Sequence, residues 1–367
     1  MILSKISLIN FKNYDQAELE VSPFVNCFLG KNGMGKTNLL DGIYYLSTCK
    51  SFFNSVDTQN IKNEEDFFVI QGEFDSNDSR ESIYCGVKRG KKKIFKKGKK
   101  EYEKLSDHIG LINTVLISPM DTNLIYEGSE TRRKFIDLII SQYDKAYLQN
   151  LIQYNKVLAH RNAYLKSLQQ GAKFDALSLQ IWDDQLVVLG NKIYSQRREF
   201  IQEFQNEFNV IYKTLSGGNE HSQLTYKSQL EENEFAELLS ESLHKEKYIG
   251  YTTKGIHKDD FVFEIQDKPL KKFGSQGQQK TFLIALKLAQ FKHIESKTNS
   301  KPILLLDDIY DKLDEERIAH LMNQICEGTY GQVFITDTNT ERLPAYFNQK
   351  EYECFSFEVE QGALKMN

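Results

Sequence analysis

Gly30-Lys31-Asn32-Gly33-Met34-Gly35-Lys36-Thr37 has the spacing G-x-x-x-x-G-K-T, and each residue type in it suits a triphosphate. The glycines let the backbone curl so that successive N–H groups point at phosphate oxygens. Lys36 reaches the β and γ oxygens, and the Thr37 hydroxyl can ligate Mg²⁺. A plain glycine-rich turn would need neither Lys nor Thr at the last two positions. Asn38, at the start of the next helix-like run, completes the expected ATP contacts. A second cluster, Asp307-Asp308, ends the apolar run Ile303-Leu304-Leu305-Leu306 behind Pro302. Acids often just cap a strand, but beside a phosphate loop they divide the work. Asp307 is expected to hold Mg²⁺ with Thr37, and Asp308 to orient or activate the attacking water, forming the catalytic pair with Lys36. The third cluster, Phe273-Gly274-Ser275-Gln276-Gly277-Gln278-Gln279-Lys280, has the form S-x-G-Q ahead of an apolar helix. A serine hydroxyl, a glycine N–H and a helix N-terminus make an anion site, so Ser275, Gly277 and Gln278 join the expected nucleotide contacts. By itself, S-x-G-Q would be only a serine cap.

Positioning these residues takes strands and helices in a definite order. Residues 1 to about 118 read as short strands (2–9, 17–21, 24–29, 67–74, 82–88) around the helix that follows the phosphate loop. From 129 to 213 the pattern is helical, with segments 131–142, 145–168 and 176–213. Along the last, Trp182, Leu186, Leu189, Ile193, Phe200, Phe204 and Ile211 recur at helical spacing, which is core packing. Gln169-Gln170-Gly171 breaks the pair into a helical hairpin. A polar helix (231–247), a strand (261–265), the signature helix (276–293), the buried parallel strand 303–306, a helix (314–327) and a strand (332–336) follow.

Composition sets limits. The chain has 367 residues, room for about two domains, with 27% charged and 40% hydrophobic residues. Five scattered cysteines without a C-x-x-C pair argue against a disulfide framework or a zinc site and fit a reducing compartment. The N-terminus alternates like a strand, and no run of about 18 apolar residues occurs, so a cytoplasmic protein without a membrane span is expected. With a net charge of −4, nucleic-acid affinity must come from local patches. The obvious patch runs from Lys88 to Lys100 and includes Lys91, Lys92 and Lys93. It reads either as a solvated hairpin with lysine-protected edges or as a phosphate-contacting strip.

The order Walker A, signature, Walker B is that of an ABC-type ATPase head, an α/β P-loop NTPase fold with a helical second lobe. The expected division is 1–118 for the first part of ATPase lobe I, 119–300 for helical lobe II with the signature, and 301–367 for the rest of lobe I. More specifically, the chain resembles the RecF family of bacterial recombination-repair proteins. The resemblance opens at Leu8-Ile9-Asn10-Phe11-Lys12-Asn13-Tyr14 and continues through Gly30 to Leu40, Lys50-Ser51-Phe52 and Ser118-Pro119-Met120-Asp121. It resumes at Gly128-Ser129-Glu130-Thr131-Arg132-Arg133-Lys134-Phe135-Ile136-Asp137, at Gly255-Ile256-His257-Lys258-Asp259-Asp260, at Ser275 to Lys280, at Asp307-Asp308 and at Leu313-Asp314.

The resemblance implies an ATP-dependent homodimer in which the signature of one subunit closes the phosphate site of the other. It further implies sequence-independent binding to gapped DNA or single-strand/double-strand junctions, weak DNA-dependent ATPase activity, and RecA loading with RecO and RecR as partners. Arg132-Arg133 become candidates for DNA or interlobe contacts, since paired arginines suit bidentate phosphate or carboxylate bonds. His257 beside two acids looks like a metal site, but alternation along a strand separates such neighbours, and a structural turn is favoured. The chain departs from the family pattern at Asp311, where Ser is usual, and at Ile256, where Pro is usual. No histidine follows the strand ending near Thr336, and an Asp at 308, where many relatives carry Glu, implies slow turnover. The rival readings are a transporter ATPase, which that missing histidine disfavours, an SMC-like structural protein, for which the hairpin is too short, and a DNA clamp using ATP only as a dimerisation ligand.

Overall fold

The computed structural model describes residues 1–76, 79–218, 220–311 and 315–366, and divides the chain into two compact units, 1–121 with 286–367, and 122–285. The expected boundary at 300 therefore moves into the long helix Gln276–Thr298, whose second half belongs to the first unit. The cause is packing: Leu286, Ala289, Phe291 and Ile294 are buried, and the Phe291 ring meets Tyr330 edge-on at 5.1 Å.

The first unit has two six-stranded sheets. One runs, edge to edge, 363–366, 354–360, 25–29, 333–337, 303–306, 114–117, parallel except for the terminal hairpin. All five residues of the strand Val25–Leu29 are buried, as a central parallel strand requires. The other sheet is an antiparallel meander in the order 14–20, 2–11, 67–76, 79–88, 94–97, 100–101. The helix Lys36–Thr48 touches strands of both sheets and is buried nearly all round, the pattern of a helix sandwiched between layers. Among the elements here that were not anticipated are two strands of these sheets. The strand Thr114–Ile117 is too short for its period to show, and Ile94–Lys97 lies inside a run of lysines.

The second unit is mainly helical. Lys145–Gln169 and Ala176–Ser216 form the expected hairpin, capped by the Asp144 and Asp175 carboxylates, which accept from Tyr147 N and Leu177 N. The buried positions of the long helix include Leu186, Ile193, Phe200 and Phe204 as expected, but also Arg197, at 1% exposure. Its guanidinium bonds both oxygens of Asp137 at 2.9 and 3.0 Å and reaches Asp259 at 3.1 Å. A three-stranded antiparallel sheet (222–227, 260–265, 268–269) completes the unit; its first strand was not anticipated.

His257 sits in the turn Ile256–Lys258, with Nδ1 at 2.9 Å from the Tyr154 hydroxyl and Nε2 at 3.2 Å from the Thr252 carbonyl. It is a structural residue. Burial pushes its pKa down to about 4 from 6.5. The folded value lies below the unfolded one, so the His257 contribution to stability is complete above about pH 6.5 and drains as pH falls toward 4, where the unfolded chain takes up a proton that the buried ring refuses. The full shift corresponds to about 3 kcal/mol. His257→Gln is expected to flatten the fall of the thermal midpoint between pH 6.5 and 4 relative to the unaltered protein; parallel curves would show that other groups set that slope.

Candidate active site

The phosphate loop joins the buried strand Val25–Leu29 to the helix Lys36–Thr48. Gly35 has φ 115°, and a Cβ there would lie 2.5 Å from Asn13 Nδ2, so both conformation and space demand glycine. That close neighbour supports the loop: Asn13 Nδ2 donates to Met34 O at 3.0 Å, and Asn13 Oδ1 accepts from Asn38 Nδ2 at 2.7 Å. The Tyr14 hydroxyl donates to Gly35 O at 3.0 Å. The turn between the first two strands thus holds the loop from one side. Asn38, expected to contact nucleotide, spends its amide on this brace. On the other side, Gly30 N donates to Asp337 O at 3.2 Å, and the buried Asp337 carboxylate is gripped by Arg342 at 2.6 and 2.9 Å.

Lys36 Nζ donates to Gly30 O at 2.5 Å and Lys31 O at 2.9 Å, inside the loop it belongs to. Burial pulls its pKa down from the usual lysine value, while the Asp308, Asp307 and Asp337 charges oppose that pull. Across the pocket, Thr37 Oγ1 donates to Asp307 Oδ1 at 2.9 Å. The strand Val333–Asp337 lies between the phosphate-loop strand and the strand that ends at Asp307. That intervening strand supplies Thr336, whose hydroxyl donates to Asp307 Oδ1 at 2.9 Å and accepts from the Asp308 backbone N–H at 2.9 Å. One threonine therefore fixes both acids. Asp308 has φ 52°, the left-handed conformation that Asp and Asn tolerate better than most residues, so the backbone turns sharply between the two carboxylates.

The pocket, 170 Å³, is lined by Gly33, Lys36, Thr37, Asn38, Asp307, Asp308 and Thr336, among others. Burial pushes the Asp307 carboxyl above its usual range; the hydrogen bonds from Thr37 and Thr336 pull the other way, and the Asp308 charge adds to the rise. A buried carboxylate and a hydroxyl in direct contact are hard oxygen donors that suit Mg²⁺, which takes one or two protein oxygens and completes its octahedron with water and phosphate.

In the second unit, Ser275 and Gln278 form a reciprocal capping box. Ser275 Oγ accepts from Gln278 N at 3.2 Å, and Gln278 Oε1 accepts from Ser275 N at 2.8 Å. The Gln278 amide, expected to face nucleotide, is thus occupied in shaping the helix start. Ser275, Gln276 and Gly277 are exposed there. Gln279 is anchored by the Tyr126 hydroxyl at 2.5 Å and by Gly274 O at 3.1 Å.

A family model described as the RecF/RecN/SMC N terminal domain matches residues 2–350. A Flavobacterium johnsoniae protein named DNA replication and repair protein RecF is 51% identical over 345 residues, 94% of this chain and 96% of that protein. The chain belongs to the RecF family. A Phocaeicola vulgatus relative of the same name is 48% identical over 366 residues, covering 99% of this chain and 98% of its own. A solved structure described as the recombination mediator protein RecF-ATP in RecFOR pathway superposes with a TM-score of 0.91 at 30% identity, covering 100% of this chain and 97% of that one. An Smc head domain from Pyrococcus furiosus, 17% identical with a TM-score of 0.56, shares the fold. The architecture is that of an ABC-type ATPase head.

Among the RecF-type motifs, several candidate residues are placed differently from expectation. Arg132 bonds Asp260 through two nitrogens at 2.8 and 3.0 Å, with its side chain 13% exposed, and Arg133 donates to Ser129 Oγ at 2.7 Å and Asp259 O at 2.6 Å. Both guanidiniums, expected to contact DNA or another lobe, are engaged by these partners inside the second unit. Lys93 also points inward: its ammonium meets Asp57 at 2.8 Å and Cys49 O at 2.6 Å. Lys91 and Lys92 are exposed beside it in the hairpin turn. The RecF-type stretch Lys50-Ser51-Phe52 is tied to the phosphate-loop helix through the buried Asp41, which accepts from Ser51 Oγ at 2.6 Å and Phe52 N at 2.8 Å and pairs with Lys12 at 2.6 Å. Asn13, Tyr14, Asp41 and Thr336 are the supporting residues that motif reading missed; the first two stand in the quoted opening stretch, but their partners are distant in sequence. Leu313 and Asp314 lie outside the described residues.

Proposed function

We propose that this chain is an ATP-dependent, DNA-binding dimer of recombinational repair, with weak DNA-stimulated ATPase activity, acting with RecO and RecR so that RecA loads at gapped or stalled replication intermediates in the cytoplasm. The observation that carries the ATPase half is the Thr37–Asp307 contact at 2.9 Å, held by Thr336, at the mouth of a phosphate loop. Relatives 46–51% identical are named for DNA replication and repair, and the RecF-ATP structure is named for a recombination pathway, which supports the biological half. No helix among the described residues is long and apolar enough to cross a membrane.

In this reading the loop N–H groups and Lys36 bind the triphosphate, Lys36 exchanging its bonds to Gly30 O and Lys31 O for phosphate oxygens. Thr37 and Asp307 would hold Mg²⁺, which neutralises charge developing on the phosphates. Asp308 orients the attacking water and accepts its proton. Ser275, Gln276 and Gly277 of a second copy donate to the γ-phosphate, so ATP joins two subunits and hydrolysis releases them. Sedimentation with and without ATP, and with gapped DNA, tests this; a sedimentation coefficient unmoved by ATP and DNA together would overturn it.

DNA contact is assigned to the exposed lysines of the basic hairpin, Lys91 and Lys92, and is largely independent of base sequence because no groove-reading element accompanies them. Replacing both with Gln is expected to lower the slope of log K against log salt by about 1.5, the counterion release of roughly two phosphate contacts. An unchanged slope would return the hairpin to edge protection. Lys93→Gln is expected to lower stability instead, since its ammonium serves Asp57 and Cys49.

A further inference from the structure

We propose that Glu220 is a positioning residue of the signature: through Gln278 it fixes Ser275 in the orientation that presents its hydroxyl to the γ-phosphate held by a second copy. The inference rests on the shared-site reading above. Glu220 Oε1 accepts from Gln278 Nε2 at 2.8 Å, and its Oε2 accepts from the Tyr212 hydroxyl at 2.5 Å. Tyr212 is buried on the long helix Ala176–Ser216, packed against Phe208 and Phe282, so the carboxylate is held from a rigid element.

A carboxamide has a donor end and an acceptor end, and which end faces Ser275 decides whether the cap forms. An ionised carboxylate only accepts, so it admits only the NH₂ end of Gln278 and leaves the oxygen end for Ser275 N, where it accepts at 2.8 Å. A flipped amide would set NH₂ against N–H on one side and oxygen against carboxylate on the other, losing both bonds. With the amide so oriented, Ser275 Oγ accepts from Gln278 N at 3.2 Å and its hydroxyl proton remains to be donated outward. The N–H groups of Gln276 and Gly277, in the first turn of Gln276–Thr298, have no intrahelical acceptor and complete the anion cradle. Gln279 is secured separately, by Tyr126 and Gly274 O, and Gln278 links this cradle to Glu220.

The test compares Glu220→Lys, Glu220→Ala and Glu220→Gln by steady-state ATP hydrolysis with gapped DNA. An ammonium at 220 repels the NH₂ end, so Glu220→Lys is expected to lose about tenfold or more in kcat, the scale of a broken cap and its coupled bond, with KM for ATP within about twofold. Glu220→Ala falls between, and Glu220→Gln, whose carboxamide oxygen still accepts from Gln278, recovers most of the turnover. Mixing Glu220→Lys with Lys36→Ala pairs an intact phosphate loop with an intact signature and is expected to restore activity to the level of a Lys36→Ala plus Ser275→Arg mixture. Full kcat in Glu220→Lys would overturn the proposal, as would a loss that mixing does not relieve while the reference mixture is active. An inactive reference mixture would overturn the shared-site reading and the role of Glu220 with it.

Discussion

Asp308→Asn is expected to bind ATP and dimerise nearly as the unaltered protein does, yet to turn ATP over at least about a hundredfold more slowly, the scale of losing a general base. The substitution isolates the carboxylate. Asn accepts the left-handed backbone that Asp308 adopts (φ 52°), and the backbone N–H bond to Thr336 Oγ1 does not involve the side chain. What disappears is the anionic oxygen proposed to take the proton of the attacking water. Asp307→Asn is expected to behave differently, because Asp307 is buried, bonded to Thr37 and Thr336, and raised in pKa chiefly by desolvation. It loses the Mg²⁺ dependence of nucleotide binding first, and turnover follows. Equilibrium binding of ATP with and without Mg²⁺, beside single-turnover hydrolysis, separates the two. Interchanged phenotypes would reverse the assignment of metal ligand and base.

Lys36→Ala and Ser275→Arg are each expected to be inactive as homodimers and to regain part of the activity when mixed. Lys36→Ala removes the phosphate-loop ammonium and keeps the signature; Ser275→Arg blocks the exposed capping-box serine and keeps the loop. Every site in either homodimer has one broken half. A heterodimer pairs the intact Lys36 of one chain with the intact Ser275 of the other, giving one whole site beside one doubly broken site. Activity should therefore approach half of the wild-type value per heterodimer, most clearly with gapped DNA present. A heterodimer of wild type with the double variant, expected to have two half-broken sites, is the control. A mixture that stays inactive while heterodimers form would overturn the site shared between subunits.

Much of this chain was legible from local pattern. The phosphate loop, the apolar strand ending in Asp307-Asp308 and the Ser275 cap are short contiguous motifs, each recognisable from neighbours one to four residues away. The helices of the second unit declared themselves by period, because one face of each is buried over many turns. Sequence by itself thus determined the P-loop NTPase fold, the candidate residues of the phosphate pocket and the RecF-type order of motifs.

Tertiary structure alone decided which polar side chains remain available. Arg132, Arg133 and Lys93 read as surface cations, yet their partners Asp260, Asp259 and Asp57 lie 128, 126 and 36 residues away and turn them inward. Arg197 occupies a core position in an apolar stripe because Asp137 and Asp259 neutralise it there. Cys27 and Cys354, 327 residues apart, come to 3.1 Å between sulfurs on adjacent strands. Thr336 reaches Asp307 because its strand is inserted between the phosphate loop and the acids, an order of strands that no local period encodes. The physical reason is common to all of these: hydrogen bonds and ion pairs act over about 3 Å in space, whatever their separation along the chain, so only the folded arrangement reveals which donors and acceptors are already committed.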